Sequence, residues 1–241
     1  MQLRDSDTYD GYIKALTDIS RAITSDLYIE DLLKLIVMVT ARVTGVEICS
    51  LWLVNPEEAP PRIRLKATQS ISPEYIKDRS LSLDEGVVGY VVTHKQPLLL
   101  KEVMKSRRFK EKEMANRLGL VSMAGIPLQT RDEKVIGVLN CFTAVPHDFS
   151  ETEVNLLTAV ANQSAVAILN TELMVKTKVI QAELEARKKI EQAKEILMHQ
   201  RNMTGNDAYR WLQKRSMDSR KSIREVAEAV ILSNEIFNSS N

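Results

Sequence analysis

Apolar residues recur at helical spacing over Tyr12–Thr24 (Ile13, Leu16, Ile19, Ile23) and over Ile29–Val43 (Leu32, Leu33, Ile36, Val39, Val43), which predicts two N-terminal helices. Gly45 stands where a left-handed residue closes a helix. The period then changes. Glu47–Val54 is an apolar run that ends at the turn Asn55-Pro56, and Arg62–Thr68 alternates strictly, so the two form an antiparallel strand pair. Glu85–Val92 is a short apolar segment opened by glycine, and Gln96–Leu100 is a second short strand after a turn. Gly125–Gln129, the polar turn Arg131–Lys134 and Val135–Phe142 read as a hairpin. Between them, Lys101–Arg117 carries seven basic and three acidic residues; it reads as a solvated loop, with a second nucleic-acid patch as the alternative.

Ser150 and Glu153 have capping-box spacing and open a long helix. Leu156, Val160, Ala167, Leu173, Ile180 and Leu184 follow with no Pro or Gly until Gly205, a length that calls for a partner helix. A heptad places Val166, Leu173, Ile180 and Arg187 at one seam position and Asn170, Thr177, Leu184 and Glu191 at the other. This predicts a short parallel dimer contact through Leu173, Thr177, Ile180 and Leu184, weakened by the polar Asn170 and Thr177. Before Leu173, packing of the helix on its own domain is the competing reading. Farther on, Thr204 is an N-cap ahead of Ala208, Trp211 and Leu212, and Ser222 with Glu225 is a second capping box. Ile223, Val226, Ala227, Val230 and Ile231 form a stripe that matches Ile190, Ala193 and Leu197 on the long helix, so three helices enclose one small core. Trp211 and Met217 are assigned to that core. The fold class expected is therefore α+β, an antiparallel-sheet domain joined by a long helix to a small three-helix all-α domain.

Charge changes this picture. The 241 residues carry 33 Lys+Arg and 32 Asp+Glu, a net +1 that argues against nucleic acid only while it is read as a sum. Lys176–Arg224 holds 13 basic and 6 acidic residues, a balance of +7, and the remainder holds 20 and 26, a balance of −6. The N-terminus lacks the apolar stretch of a signal peptide, and Leu32–Ala41 is too short and too interrupted to span a bilayer, so a cytoplasmic chain without membrane contact is expected. Cys49 and Cys141 fall in apparent buried strands with no CxxC pair and read as free thiols, against a disulfide or redox pair. His94, His147 and His199 lack metal-ligand spacing and read as solvated. No metal or cofactor is identified, and no nucleophile–base pair or phosphate loop supports an enzyme.

Glu85-Gly86-Val87-Val88-Gly89-Tyr90-Val91, Gly125-Ile126-Pro127-Leu128, Val135-Ile136-Gly137-Val138-Leu139 and Phe149-Ser150 with Glu153, Leu156 and Leu157 resemble GAF domains, small-molecule sensing modules. The resemblance covers residues 1–170. It implies a pocket between the sheet and its covering loops without naming the ligand; a ligand-free dimerising scaffold is the other reading. The cyclic-nucleotide signature and a bilin cysteine followed by histidine are both missing.

Ala186–Met198, Asp207-Ala208-Tyr209 with Leu212, Ser216–Arg220 and Val226-Ala227-Glu228-Ala229 resemble the ANTAR domain of bacterial transcription antiterminators over residues 178–234, with 171–185 as a coiled-coil linker helix. Two positions depart from that pattern: Glu195 stands where glycine is usual and Ser216 where alanine is usual. The resemblance implies binding of paired stem-loops in nascent, polymerase-associated transcripts, usually by a homodimer, which prevents a terminator hairpin. The clustered positive charge is an independent reason for RNA. Arg187, Lys194 and Arg201 are seven apart and share a helix face, with Lys188 beside them. Arg215, Ser219, Arg220 and Lys221 lie at a turn that can meet an RNA loop, Ser219 being able to donate and accept, and Tyr209 can stack on a base. A DNA-binding repressor that uses the same helices as a helix-turn-helix is the alternative.

Overall fold

The computed structural model describes residues 28–70 and 79–238, together with Ile13, Lys14, Thr17 and Arg21. The helix expected over Tyr12–Thr24 otherwise lies outside the described residues. The chain divides into two compact units, residues 1–172 and 173–241.

In the first unit, α1 (Ile29–Thr44) ends as its sequence requires: Gly45 takes φ 67° and its N–H donates to Ala41 O. Strands β1 (Ile48–Asn55), β2 (Arg62–Thr68) and β3 (Ser80–Ser82) lead to α2 (Gly86–His94) and β4 (Leu98–Leu100). A 3₁₀ turn at Val103–Lys105 and α3 (Lys112–Arg117) precede β5 (Ser122–Gln129) and β6 (Val135–Thr143). The six strands form one antiparallel sheet in the order β3-β2-β1-β6-β5-β4. Its edges are three-residue strands, which limits the open hydrogen-bonding rim.

Alternation along β1 splits the core in two. Cys49, Leu51 and Leu53 join Leu32 and Ile36 of α1 and the Leu157–Ile168 face of α4 (Glu151–Arg201). Ile48 and Trp52 point the other way, with Met123, Val138 and Phe142, and meet Val87, Val88 and Val91 of α2. Ser150 and Glu153 cap α4 reciprocally, as their spacing predicts.

Two expectations are corrected here. The apolar segment after Glu85 is helical, not extended, although its valines favour strands. Gly89 permits this: a Cβ there would come within 2.8 Å of Leu83 O, so only glycine lets α2 turn so close to the preceding chain. Burial of three valines on the sheet then outweighs local propensity. The charged stretch 101–117 is likewise no simple solvated loop, because Val103, Phe109, Met114 and Ala115 insert into the α2-side core while the charges stay outside.

The second unit contains the later part of α4, then α5 (Gly205–Ser219) and α6 (Ile223–Asn238). Ala193, Leu197, Ala208, Leu212, Val226, Ala227 and Ile231 form its buried cluster. Asn202, with φ 53°, ends α4; Thr204 accepts from Asp207 N–H to start α5; and Ser222 with Glu225 starts α6. Arg220, with φ 55°, ends α5 and donates its N–H toward Ser216 and Met217 carbonyls. Met217 is not core: it is 68% exposed, because it lies about 140° around the helix from Leu212.

Candidate functional site

The helical unit carries its chemistry on its surface. Arg187 and Lys188 are exposed on α4. Lys194, one α4 step of seven further on, is 20% exposed and donates from Nζ to both Glu191 carboxylate oxygens at 3.1 and 2.8 Å. Its charge is therefore partly engaged within the helix, by Glu191 and not by the unusual Glu195. Arg201 closes α4 with its guanidinium 4.8 Å from the Trp211 ring centroid, and Arg215 of α5 sits 5.5 Å from the same ring. One indole thus holds two guanidinium groups from two helices. Each such contact is worth about 0.5–1 kcal/mol at an exposed site. Among the described residues no hydrogen bond or ion pair engages either guanidinium, so their N–H groups remain available to phosphate or base edges.

Trp211 is only half-buried: it packs against the bundle core and also meets both arginines. Its reading as a pure core residue missed this role. The i, i+4 spacing of Trp211 and Arg215 was a usable signal, whereas Arg201 reaches the ring from another helix and only the fold reveals it. Tyr209 is 42% exposed on α5. At the end of that helix the Ser219 hydroxyl donates to Arg215 O at 2.6 Å, so its remaining capacity toward a base is as an acceptor. Arg220 and Lys221 are exposed at the turn into α6. The second departure from the expected pattern has a local role: Ser216 Oγ donates to Lys221 O at 2.6 Å and fastens this turn.

Farther up α4, Leu173, Thr177, Ile180 and Leu184 are all exposed, as are Met174, Val175 and Val179. An apolar band of this kind in water favours burial against another surface.

The sheet unit carries its chemistry inside. A cavity of about 40 Å³ lies between the sheet and α2, walled by Trp52, Met123 and Phe142 and by Phe109–Glu111 of the covering segment. Asn140 of β6 is one of its lining residues, paired with Ser50 on one side and Gly125 on the other, and its Oδ1 is buried without a hydrogen-bond partner. On the opposite face Cys49 and Cys141 are cross-strand neighbours, buried and free, and burial followed by the contact with Cys141 pushes the Cys49 thiol well up. His147, expected to be solvated, instead has Nε2 2.9 Å from Glu153 Oε1 and its ring edge-on to Phe149. Burial pushes the Glu153 carboxyl up, but the Ser150 N–H and hydroxyl and His147 outweigh it and hold the group below its ordinary range. His94 stacks on Tyr90, which in turn lies under Arg108. Among the described residues no cluster of three or more His, Cys, Asp or Glu is placed to hold a metal, and no helix is long and apolar enough to cross a membrane.

The sheet unit is similar to solved GAF domains. That of an Acinetobacter phosphoenolpyruvate-protein phosphotransferase is 28% identical at a TM-score of 0.57, covering 68% of this chain and 97% of that one. Its counterpart from Coxiella burnetii is 22% identical at 0.59, covering 69% and 97%. A free methionine-R-sulfoxide reductase from Neisseria meningitidis shares the fold at 16% identity and 0.56, covering 68% and 91%. In the other unit, 48 residues are 44% identical to the transcriptional regulatory protein PdtaR of Mycobacterium tuberculosis. That match takes in 20% of this chain and 23% of the relative, so the chain spans about a quarter of that relative's length. The GAF domain family matches residues 29–168 and the ANTAR domain family residues 178–231, more than half of the chain for the first alone. The chain belongs to the GAF family and carries an ANTAR domain behind it.

Proposed function

We propose that this chain is a non-enzymatic, cytoplasmic regulator of transcription antitermination, in which the ANTAR domain binds paired stem-loops of a nascent transcript and the GAF domain senses a small ligand. The observation that carries the reading is the pair of guanidiniums fixed on Trp211, in a segment whose basic residues outnumber acidic ones by seven. Phosphate attraction scales with such a local excess. Bases exposed in RNA loops are read by planar stacking and edge hydrogen bonds, which Arg201, Arg215, Tyr209 and the Ser219–Lys221 turn offer together. Arg187, Lys188 and Lys194 extend the same charge along α4.

Leu173, Thr177, Ile180 and Leu184 form the contact with a second copy, which sets two RNA-binding units side by side for two stem-loops. The uninterrupted α4, begun on the sheet and ended in the bundle, transmits a change at the sensor as a shift in that dimer.

Competition of a paired stem-loop RNA against duplex DNA at matched salt tests the reading. RNA is expected to bind at least tenfold tighter and to lose affinity when Arg201 and Arg215 are both replaced by Ala; tighter duplex binding overturns it in favour of a DNA-binding regulator.

A further inference from the structure

Residues 101–117 are a strongly charged stretch that the function proposed above does not use, with seven basic and three acidic residues, a balance of +4. The rest of residues 1–172 holds 13 basic and 20 acidic residues, a balance of −7, so the segment is a positive island on an acidic unit. Carboxylates neutralise part of it: Lys101 pairs with Asp148, Lys105 with Glu102, and Glu111 with Arg79. Arg107, Arg108, Lys110 and Lys112 have no ion-pair partner among the described residues. The excess is therefore concentrated on four cations within six consecutive positions.

Packing sets where these cations stand. Phe109 is buried in the α2-side core, and its neighbours Arg108 and Lys110 are left exposed on either side of it. Lys110 and Lys112 line an open groove with Arg79 and Arg117, where Glu111 is engaged by Arg79 and Glu113 is the other carboxylate. The Arg108 guanidinium lies 4.1 Å from the Tyr90 ring centroid, and the His94 ring stacks on the same phenol at 3.8 Å. Arg108 is thus held against an aromatic ring, as Arg201 and Arg215 are by Trp211, which lowers the entropy it loses on binding. The cations converge on no single point. Arg108 is beside Tyr90, halfway along α2; Lys110 reaches the first residue of α2, where a Gly86 Cβ would lie 3.7 Å from its Cγ; and Lys112 opens α3. Charges spread in this way suit a chain of phosphates better than one small anion. A lipid surface would call for apolar side chains among them, and Phe109 and Met114 are instead buried.

We propose that this face of the sheet unit is a second RNA contact, which binds the phosphate backbone of single-stranded RNA through Arg107, Arg108, Lys110 and Lys112. A single strand is flexible enough to follow an irregular track of cations, and such binding is tolerant of sequence because it addresses phosphates. The choice of RNA as the polyanion rests on the RNA reading of the helical unit. The two contacts are mapped separately along the chain, so they fail separately.

The test uses the full chain and a twenty-nucleotide oligouridine that carries 4-thiouridine. Photo-crosslinks are expected on peptides holding Tyr90 and His94 and on those holding Arg107 to Lys112, as well as on α5. Arg201→Ala with Arg215→Ala should weaken the α5 crosslinks and leave the others. With Arg107, Arg108, Lys110 and Lys112 all replaced by Gln, affinity at low salt should fall at least tenfold. The slope of log affinity against log salt should flatten by about 3, because each phosphate contact with a single strand contributes about 0.7. Exchanging each of the four for the other basic residue, Arg for Lys and Lys for Arg, should keep the parent slope to within about one unit. Crosslinks confined to the helical unit, or an unchanged slope in the Gln variant, overturn the proposal. A Gln variant that keeps its RNA affinity but no longer sediments with phosphatidylglycerol vesicles overturns it in favour of a membrane surface. Crosslinks on the segment with none on α5 support this contact and overturn the RNA reading of the helical unit instead.

Discussion

The sheet unit buries apolar side chains on both faces of one sheet, whereas the helical unit encloses a single cluster of seven buried residues, three of them alanine. The alanines let the helices approach closely, which leaves Leu197, Leu212, Val226 and Ile231 to supply most of the burial. Polar groups are distributed in the opposite sense. Every buried polar side chain among the described residues, Asn140 and Ser50 included, belongs to the sheet unit. The helical unit keeps its buried positions apolar and sets its guanidiniums on the outside of Trp211. An enclosed interior with polar groups suits a molecule small enough to be desolvated, and a basic surface suits a polyanion too large to enclose, which is the division of labour proposed for the two units.

The contrast is sharpest where stability is concerned. Leu212→Ala removes one of the few large side chains of the small core and should cost about 2–5 kcal/mol. The helical unit is expected to lose its cooperative melting transition and its RNA binding, while the transition of the sheet unit, followed by calorimetry, stays in place. One transition that moves as a whole would instead make the two units a single cooperative body.

Trp211→Leu keeps an apolar residue at the core edge and releases both arginines. Ordering two freed arginines on binding, at about 0.5–1.5 kcal/mol each, corresponds to roughly five- to 150-fold weaker RNA binding, read by filter binding at fixed salt. Far-UV circular dichroism should change little. Ser216→Ala is smaller again: it deletes the hydrogen bond to Lys221 O, worth about 1 kcal/mol, and should lower the melting midpoint of the helical unit alone.

Acid gives the smallest effect and touches both units. Glu153 and Glu225 each close a Ser-x-x-Glu box, and the Ser222 N–H and hydroxyl hold the Glu225 carboxyl below its ordinary range, as Ser150 and His147 do for Glu153. A carboxyl depressed in the folded state stabilises it above its unfolded pKa, and that stabilisation fades as pH falls through the folded value. Melts over a falling pH series should therefore drop for both units, and Glu225→Gln should remove that part of the slope from the helical unit only.

Local chemistry made much of this legible in the sequence. The helix ends at Gly45, Ser150, Thr204 and Ser222 depend on residues within three or four positions, so their spacing alone locates them. The hairpin of β5 and β6 and the apolar edges of the three-helix core follow for the same reason, since period reports which face is buried. Misreadings arose where distant packing outweighed local preference. The valines of α2 became helical because the sheet offers them a surface and Gly89 the clearance, and Phe109 and Met114 sank from a highly charged stretch because a helix and sheet lay beneath them. Met217 fell on the exposed side of α5 once Ala208 and Leu212 had set which side faces inward.

The sequence by itself determined the two families, the split of charge between them and the succession of the α1, β1–β2, β5–β6 and C-terminal helical segments, because these are properties of adjacent or regularly spaced residues. Only the tertiary structure decided that Arg201 and Arg215 share one indole and that Asn140 of β6 and the start of α2 line one small cavity. Those pairings join residues from separate helices or strands, whose meeting depends on the cores closing beneath them and not on any spacing along the chain.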